Sequence, residues 1–361
     1  MAEENIHKIA LPLTEWYRAN KRSLPWRQDK EPYHVWISEI MLQQTRIEAV
    51  IEHYYAFMTA LPEIKSLAEV EEETLLKLWE GLGYYSRARN LKKAAITIME
   101  EYGGEFPTRY EQLKKLPGIG EYTAGAIASI CFNERVPAVD GNVLRVLARL
   151  REDKSNVLLA ETKKKAEALL REIIPDSAGE FNEGLMELGE TVCLPNGTPL
   201  CSRCPLREWC KSRQAGTAEA LPVRIKTSGR RTQEKSVFIL QSERGNIALL
   251  KRDSKGLLAG LYELPNTDTV LTDEAALEYI RRLEPGAKNA QCIKQTKHIF
   301  THIEWRMKVF FVPVSKQSEH FVWSSAEELE KKYALPTAFQ KCLKDMVWHS
   351  SHARTRLKSA I

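Results

Sequence analysis

The hydrophobic period changes once along this chain, and that change bounds what it can fold into. From about residue 6 to residue 210, apolar side chains recur at helical spacing, as in Leu75, Leu76, Leu78 and Trp79. Stops at Pro25, Pro32, Pro62, Gly81, Gly103, Pro107 and Pro137 divide these runs. From Lys211 to Lys235 the periodicity fails, and seven basic residues stand against Glu219 and Glu234, the composition of a basic linker. Beyond it the period shifts towards two. Val237-Phe238-Ile239-Leu240, a Gly245-Asn246 turn, Ile247-Ala248-Leu249-Leu250 and Met307 to Val314 read as strands. One helix is expected from Thr272 through Leu283, and Ser324-x-x-Glu327 and Thr337-x-x-Gln340 read as capping boxes for two more. The expected architecture is a mainly helical N-terminal region followed by a separate α+β domain.

With 361 residues, 43% of them hydrophobic, the chain can build two or three cores. A formal charge of +5 permits a nucleic acid partner without demanding one. No run of eighteen apolar residues occurs, so no membrane partner is expected. Met1-Ala2-Glu3-Glu4-Asn5 has neither the basic start nor the apolar core of an export signal, and the expected compartment is the cytoplasm.

The stretch from Leu113 to Asn142 concentrates the candidate chemistry. Leu113 and Leu116 precede Pro117-Gly118-Ile119-Gly120, and Ala124, Ile127, Ala128 and Ile130 follow at helical spacing, giving helix, hairpin, helix. Gly118 and Gly120 let backbone N–H groups point outward beside a helix N-terminus, a cradle suited to phosphate. Val139-Asp140-Gly141-Asn142 then sets a carboxylate before another helical run, where Asp is also a favoured N-cap. A second acid, Glu39, shares a helical stripe with Trp36 and Gln43, where loss of water would raise its pKa and favour a proton donor. Cys193, Cys201, Cys204 and Cys210 form C-x7-C-x2-C-x5-C; in a reducing compartment this is a metal signal, and thiolates alone suit either zinc or an iron-sulfur cluster. Gly81-Leu82-Gly83-Tyr84-Tyr85-Ser86-Arg87 could put a tyrosine wedge and an arginine at a duplex, or be a helix C-cap followed by core aromatics.

Hairpin, Val-Asp-Gly-Asn and four cysteines in this order resemble the helix-hairpin-helix DNA glycosylases of the endonuclease III superfamily. Leu24-Pro25-Trp26-Arg27, Ser38 to Thr45 and Glu80 to Arg87 narrow the resemblance, over roughly residues 11 to 220, to the MutY family of adenine glycosylases. That family removes adenine paired with 8-oxoguanine in duplex DNA. Where bifunctional relatives carry a lysine after the hairpin, this chain has Tyr122, which cannot act as an amine nucleophile and so implies a monofunctional enzyme.

The resemblance implies specific roles. Glu39 would protonate adenine, and Asp140, supported by Tyr122 and Asn142, would stabilise the cationic sugar, the two-carboxylate logic of glycoside hydrolysis. Arg22, Leu24, Trp26 and Glu183 would line the pocket for the flipped adenine. Gln44, Thr45, Leu82, Tyr84, Gly118 and Gly120 would contact DNA. The four cysteines would hold one 4Fe-4S cluster, with zinc the alternative, although seven residues separate the first pair where the family usually has six. The C-terminal domain is similar, more weakly, to the family's Nudix-like 8-oxoguanine-recognition domain, with Phe300-Thr301-His302 as the lesion contact. Gly256 to Pro265 matches the start of a Nudix box, but no Arg-Glu-x-x-Glu-Glu run follows, so pyrophosphatase activity is not expected.

The expected division is 1–30 with 131–220 as a cluster-bearing helical subdomain, 31–130 as a helical subdomain with the hairpin, 221–235 as linker, 236–348 as the Nudix-like domain and 349–361 as a basic tail. The expected state is a monomer associated with the nucleoid through DNA, and the sequence names no protein partner. Alternatives are a pyrimidine-damage glycosylase of the endonuclease III type and a non-enzymatic DNA-binding module.

Overall fold

The computed structural model describes residues 6–225 and 229–344; the expected basic tail, 349–361, lies outside them. By internal contacts the chain forms two units, Met1–Val70 with Arg89–Thr227, and Glu71–Ala88 with Ser228–Ile361.

The first unit is helical. Helix Pro32–Leu42 starts with proline at its first position, where the missing N–H costs nothing, and buries Trp36, Ile37, Glu39, Ile40 and Met41. Helix Glu121–Phe132 follows the hairpin and ends on Asn133 in the left-handed region. Gly118 has φ +76, and a Cβ there would lie 2.6 Å from Cβ of Asn90, so both conformation and space require glycine. Helix Gly141–Arg151 is capped by Asp140, whose carboxylate accepts the Val143 N–H at 2.8 Å. Val143, Val146 and Leu147 of that helix meet Phe181, Leu185 and Leu188 of helix Ala178–Thr191 in one core that reaches Cys193, Cys204 and Cys210.

The second unit is built on a seven-stranded sheet: β1 Arg231–Ser242, β2 Ile247–Lys251, β3 Tyr262–Glu263, β4 Asn266–Thr267, β5 Gln291–Ile299, β6 Ile303–Val314 and β7 Val322–Ser324. The main order is β3-β2-β1-β6-β5, with β4 on β1 and β7 on β2. β1 and β6 pair in parallel from Arg231 opposite Ile303 to Ser242 opposite Val314, and the other pairs are antiparallel. Both faces are covered. Helix Asp273–Arg281 packs Ala276 and Ile280 on Phe238, Leu240 and Phe310, while helix Thr337–Leu343 packs Ala338 and Phe339 on Val237, Ile239 and Trp305.

Several expectations change. The linker is shorter than 221–235: Leu221 is buried and its carbonyl accepts from Arg149, Val223 accepts from the Val157 N–H, and β1 already begins at Arg231. Lys235, read as part of the basic linker, is buried because Asp268 and Asn266 engage its amino group and it lies over the Trp305 ring at 4.6 Å. One capping box sits a residue later than expected, on Ser325 and Glu328, because Ser324 completes β7. The other is absent, since helix Thr337–Leu343 starts behind Pro336 without a side-chain cap. Glu71–Ala88, expected within the helical subdomain 31–130, packs with the second unit, where Glu73, Lys77 and Glu80 find their hydrogen-bond partners.

Candidate active site

Helices Pro32–Leu42, Glu121–Phe132, Gly141–Arg151 and Ala178–Thr191 surround a cleft of about 1060 Å³ in the first unit. Glu39, Tyr122, Asp140 and Asn142 line it, as do Arg22, Leu24, Trp26 and Glu183, and Gln44, Thr45, Gly118 and Gly120. Three of the four groups that the resemblance implies for this unit therefore share one cavity, and the four cysteines lie outside its lining.

Glu39 is 8% exposed, and the Tyr122 hydroxyl donates to its Oε2 at 2.6 Å. Burial, reinforced by the nearby Asp140 and Glu183 charges, pushes its carboxyl from 4.5 up to about 7, against the opposing pull of the Tyr122 hydrogen bond. Asp140 is half-buried. Burial raises its pKa too, but the Val143 N–H and the Asn142 amide, 2.9 Å from Oδ2, favour its ionised form. The two acids are thus unlike: one meets a single phenol, and the other sits at a positive helix terminus with a cap hydrogen bond. Asp140 is at once the helix cap and a cleft-lining acid. Tyr122, expected to support Asp140, instead gives its hydroxyl to Glu39, because helix Glu121–Phe132 runs beside helix Pro32–Leu42.

Behind Asp140 the hydrogen bonds continue. Arg145 Nη2 donates to Asn142 Oδ1 at 2.8 Å, Arg145 Nε to the Cys193 carbonyl at 2.8 Å, and Arg149 Nη1 to Cys193 Sγ at 3.2 Å. All four cysteines are half-buried. Burial first, and then the other three thiols, push Cys204 up to about 12, and Cys201 is raised for the same two reasons. Four thiols this crowded are the donor set that a cationic metal centre neutralises. Among the described residues, no three His, Cys, Asp or Glu side chains converge on a single ion.

Two further charged residues line the cleft beside Arg22 and Glu183: Glu187, which the sequence did not single out, and Arg27, named there only as part of Leu24-Pro25-Trp26-Arg27. Glu187, with a fully buried side chain, takes Arg22 in a two-pronged pair at 2.6 and 2.9 Å and Arg27 Nη1 at 2.9 Å, while Arg27 Nε lies 3.4 Å from Glu183. Burial raises the Glu187 carboxyl, but the Arg22 hydrogen bond and the Arg27 and Arg22 charges outweigh it and hold it below the usual range. The four-residue spacing of Glu183 and Glu187 was a readable sign that both share one helix face.

The remaining sequence-predicted residues belong to the second unit. Tyr84 is exposed with φ +47, whereas Leu82 is 6% exposed. Phe300, Thr301 and His302 form the turn between β5 and β6; Thr301 and His302 are exposed, and the Phe300 ring packs edge-on to Trp305 at 4.8 Å.

Known proteins resemble this chain in both of its parts. Residues 37–176 match the family model of the HhH-GPD superfamily base excision DNA repair protein, and residues 236–345 match a NUDIX domain. Adenine DNA glycosylase of Arabidopsis thaliana is 34% identical over 95% of this chain, which spans 62% of that protein. The Homo sapiens protein of the same name is 33% identical over 91% of this chain and 72% of its own length. That of Buchnera aphidicola (subsp. Schizaphis graminum) is 34% identical over 82% and 85%. Among solved structures, a thermostable thymine-DNA glycosylase superposes with TM-score 0.54 at 26% identity, over 60% of this chain and all of that one. An endonuclease III–DNA covalent intermediate superposes with TM-score 0.51 at 24% identity, over 60% and 99%, a likeness of fold. With Glu39, Asp140 and the hairpin inside the matched region and a Nudix-like domain behind it, the chain belongs to the adenine DNA glycosylase family of the helix-hairpin-helix base excision repair superfamily.

Proposed function

We propose that this chain hydrolyses the N-glycosidic bond of adenine placed opposite 8-oxoguanine, or guanine, in duplex DNA. The observation that carries the reading is a buried Glu39 with a carboxyl at about 7, sharing a cleft with Asp140, which is hydrogen-bonded by Asn142 and the Val143 N–H. At neutral pH an appreciable fraction of Glu39 is protonated, and it gives its proton to N7 of the extruded adenine. The C1′–N9 bond then breaks with its electron pair leaving on the base. Asp140 faces the positive charge that grows on the sugar, and water adds at C1′ and loses its proton. Tyr122 has no amine with which to form a Schiff base, so base loss occurs without an enzyme-linked imine. Arg22, Leu24, Trp26 and Glu183 receive the base, and Glu187 holds Arg22 and Arg27 in place for it.

Gly118 and Gly120 contact a DNA phosphate through their N–H groups, Thr45 contacts the DNA strand, and Gln44, Leu82 and Tyr84 enter the gap and touch the opposite base, Tyr84 as the wedge. Thr301 reads the opposite base, since its hydroxyl can accept the N7–H that 8-oxoguanine has and guanine lacks. The direct test is base release from matched duplexes that differ only in guanine or 8-oxoguanine opposite adenine. Free adenine and an abasic strand are expected, with faster release opposite the lesion; release of an oxidised pyrimidine instead of adenine would overturn the reading.

Cys193, Cys201, Cys204 and Cys210 hold one 4Fe-4S cluster in this reading. Each thiolate of such a cluster binds its own iron, so the four sulfurs need not converge on one point. When bound, it would cross-link the segment after helix Ala178–Thr191, which carries Cys193, to the loop through Cys210, whereas base hydrolysis itself requires no electron transfer. Purified protein is expected to be brown and to carry iron and acid-labile sulfide in equal amounts. Colourless protein with one zinc per chain would refute the assignment.

A further inference from the structure

The second unit contains polar contacts that base hydrolysis leaves unused. Lys77 Nζ donates to the carbonyls of Leu329 at 3.0 Å and Tyr333 at 3.3 Å, at the negative end of helix Ala326–Lys331. It also pairs with Glu80 Oε2 at 2.5 Å, while Glu80 Oε1 accepts the Leu335 N–H at 2.6 Å. The Lys77 and Glu80 side chains are only 16% and 18% exposed. Leu335 and Tyr333 belong to the core that contains Trp305, against which Phe300 packs.

The same segment carries Tyr84. Its turn is stiffened by Trp79 Nε1 donating to the Gly83 carbonyl at 3.1 Å and by Arg87 Nη2 donating to the carbonyls of Leu82 at 2.9 Å and Gly83 at 3.1 Å. The Arg87 guanidinium lies 5.3 Å from the Trp79 ring and 5.8 Å from the Tyr84 ring. At the far end, the Tyr84 hydroxyl meets Oγ1 of Thr301. Glu71–Ala88 is thus tied to the rest of the second unit at two places, by the Lys77–Glu80 peg and by the Tyr84–Thr301 hydroxyls.

We infer that Lys77 and Glu80 are positioning residues for discrimination of the base opposite adenine: they fix the tyrosine wedge and the lesion-reading threonine on one rigid body. The inference rests on the roles proposed above for Tyr84 and Thr301. A wedge and reader held in fixed register need no ordering when DNA binds, so the contact to the lesion is made at full strength; if they moved independently, ordering them would weaken that contact, while guanine, which lacks the N7–H, does not draw on it. Loss of either partner leaves the other half-buried charge unmatched and frees the segment.

The test uses the full chain in single-turnover adenine release opposite 8-oxoguanine and opposite guanine. Lys77→Gln and Glu80→Gln are each expected to lower the ratio of the two rates about tenfold, the loss of one charged hydrogen bond, with the rate opposite guanine nearly unchanged. Lys77→Arg, which keeps the charge and the donors, should restore most of the ratio. Tyr84→Phe, which removes only a hydroxyl and leaves folding intact, should lower the ratio in the same direction. An unchanged ratio in Glu80→Gln and Tyr84→Phe overturns the inference, as does an equal fall of both rates, which would mark a merely structural role. If the wild-type chain itself releases adenine equally fast opposite both bases, the lesion-reading role proposed above fails first, and this inference with it.

Discussion

Glutamine at position 39 is expected to slow adenine release by about 10³-fold, within the range that a positioned general acid supplies. The amide keeps the shape of Glu39 and can still accept the Tyr122 hydroxyl at 2.6 Å, but it has no acidic proton to give. The wild-type rate should fall as pH rises through about 7, where Glu39 loses its proton, and the variant should show no such limb. Stability should move the other way. The folded state holds the Glu39 proton more tightly than the unfolded chain, whose value is near 4.5, so the stability it contributes is present below pH 4.5 and is lost as pH rises through about 7. Glu39→Gln removes that dependence and should be the more stable protein at pH 8 by about 3 kcal/mol, with no gain below pH 4.5. Thermal unfolding of both proteins across this range measures it, and a variant that is inactive yet less stable at pH 8 would contradict a neutral acid at this position. An active site that costs stability is a common trade.

Asp140→Asn should be at least as damaging to the reaction, about 10³-fold, and should keep the helix cap while setting its Nδ2 against the Asn142 amide that now donates to Oδ2 at 2.9 Å. Asparagine is as good a helix cap as aspartate, and its Oδ1 can accept the Val143 N–H that Asp140 accepts at 2.8 Å. It lacks the charge that faces the cationic sugar. Asp140→Ala removes both functions and should lower stability by about 1 kcal/mol as well. Comparing the two variants by base release and thermal unfolding separates cap from catalyst; full activity in Asp140→Asn would refute the mechanism.

Much of the cleft could be read from residue order alone, because its parts are local. Pro117 to Gly120 and the two flanking helical runs form a hairpin wherever they fold, and Asp140 sits before a helix whose apolar face is evident from Val143, Val146 and Leu147. The shortcomings were non-local. Tyr122 could be placed on a helix, but which acid its hydroxyl reaches depends on how that helix lies beside Pro32–Leu42. Glu187 was not singled out in the sequence, because its partners Arg22 and Arg27 lie some 160 positions away and only the fold brings them to it. Lys235 looked like a linker cation until β1 paired with β6 and Asp268 reached its amino group.

The sequence by itself determined the helical and strand-rich regions, the hairpin, both catalytic candidates and the four-cysteine cluster, because hydrophobic period, glycine conformation and ligand spacing are properties of short stretches. Only the tertiary structure decided that Glu39 loses water and approaches neutrality, that one buried carboxylate orients two arginines, and that Glu71–Ala88 packs with the C-terminal unit. Desolvation, ion pairing and packing depend on which surfaces meet, and chain order does not encode that locally.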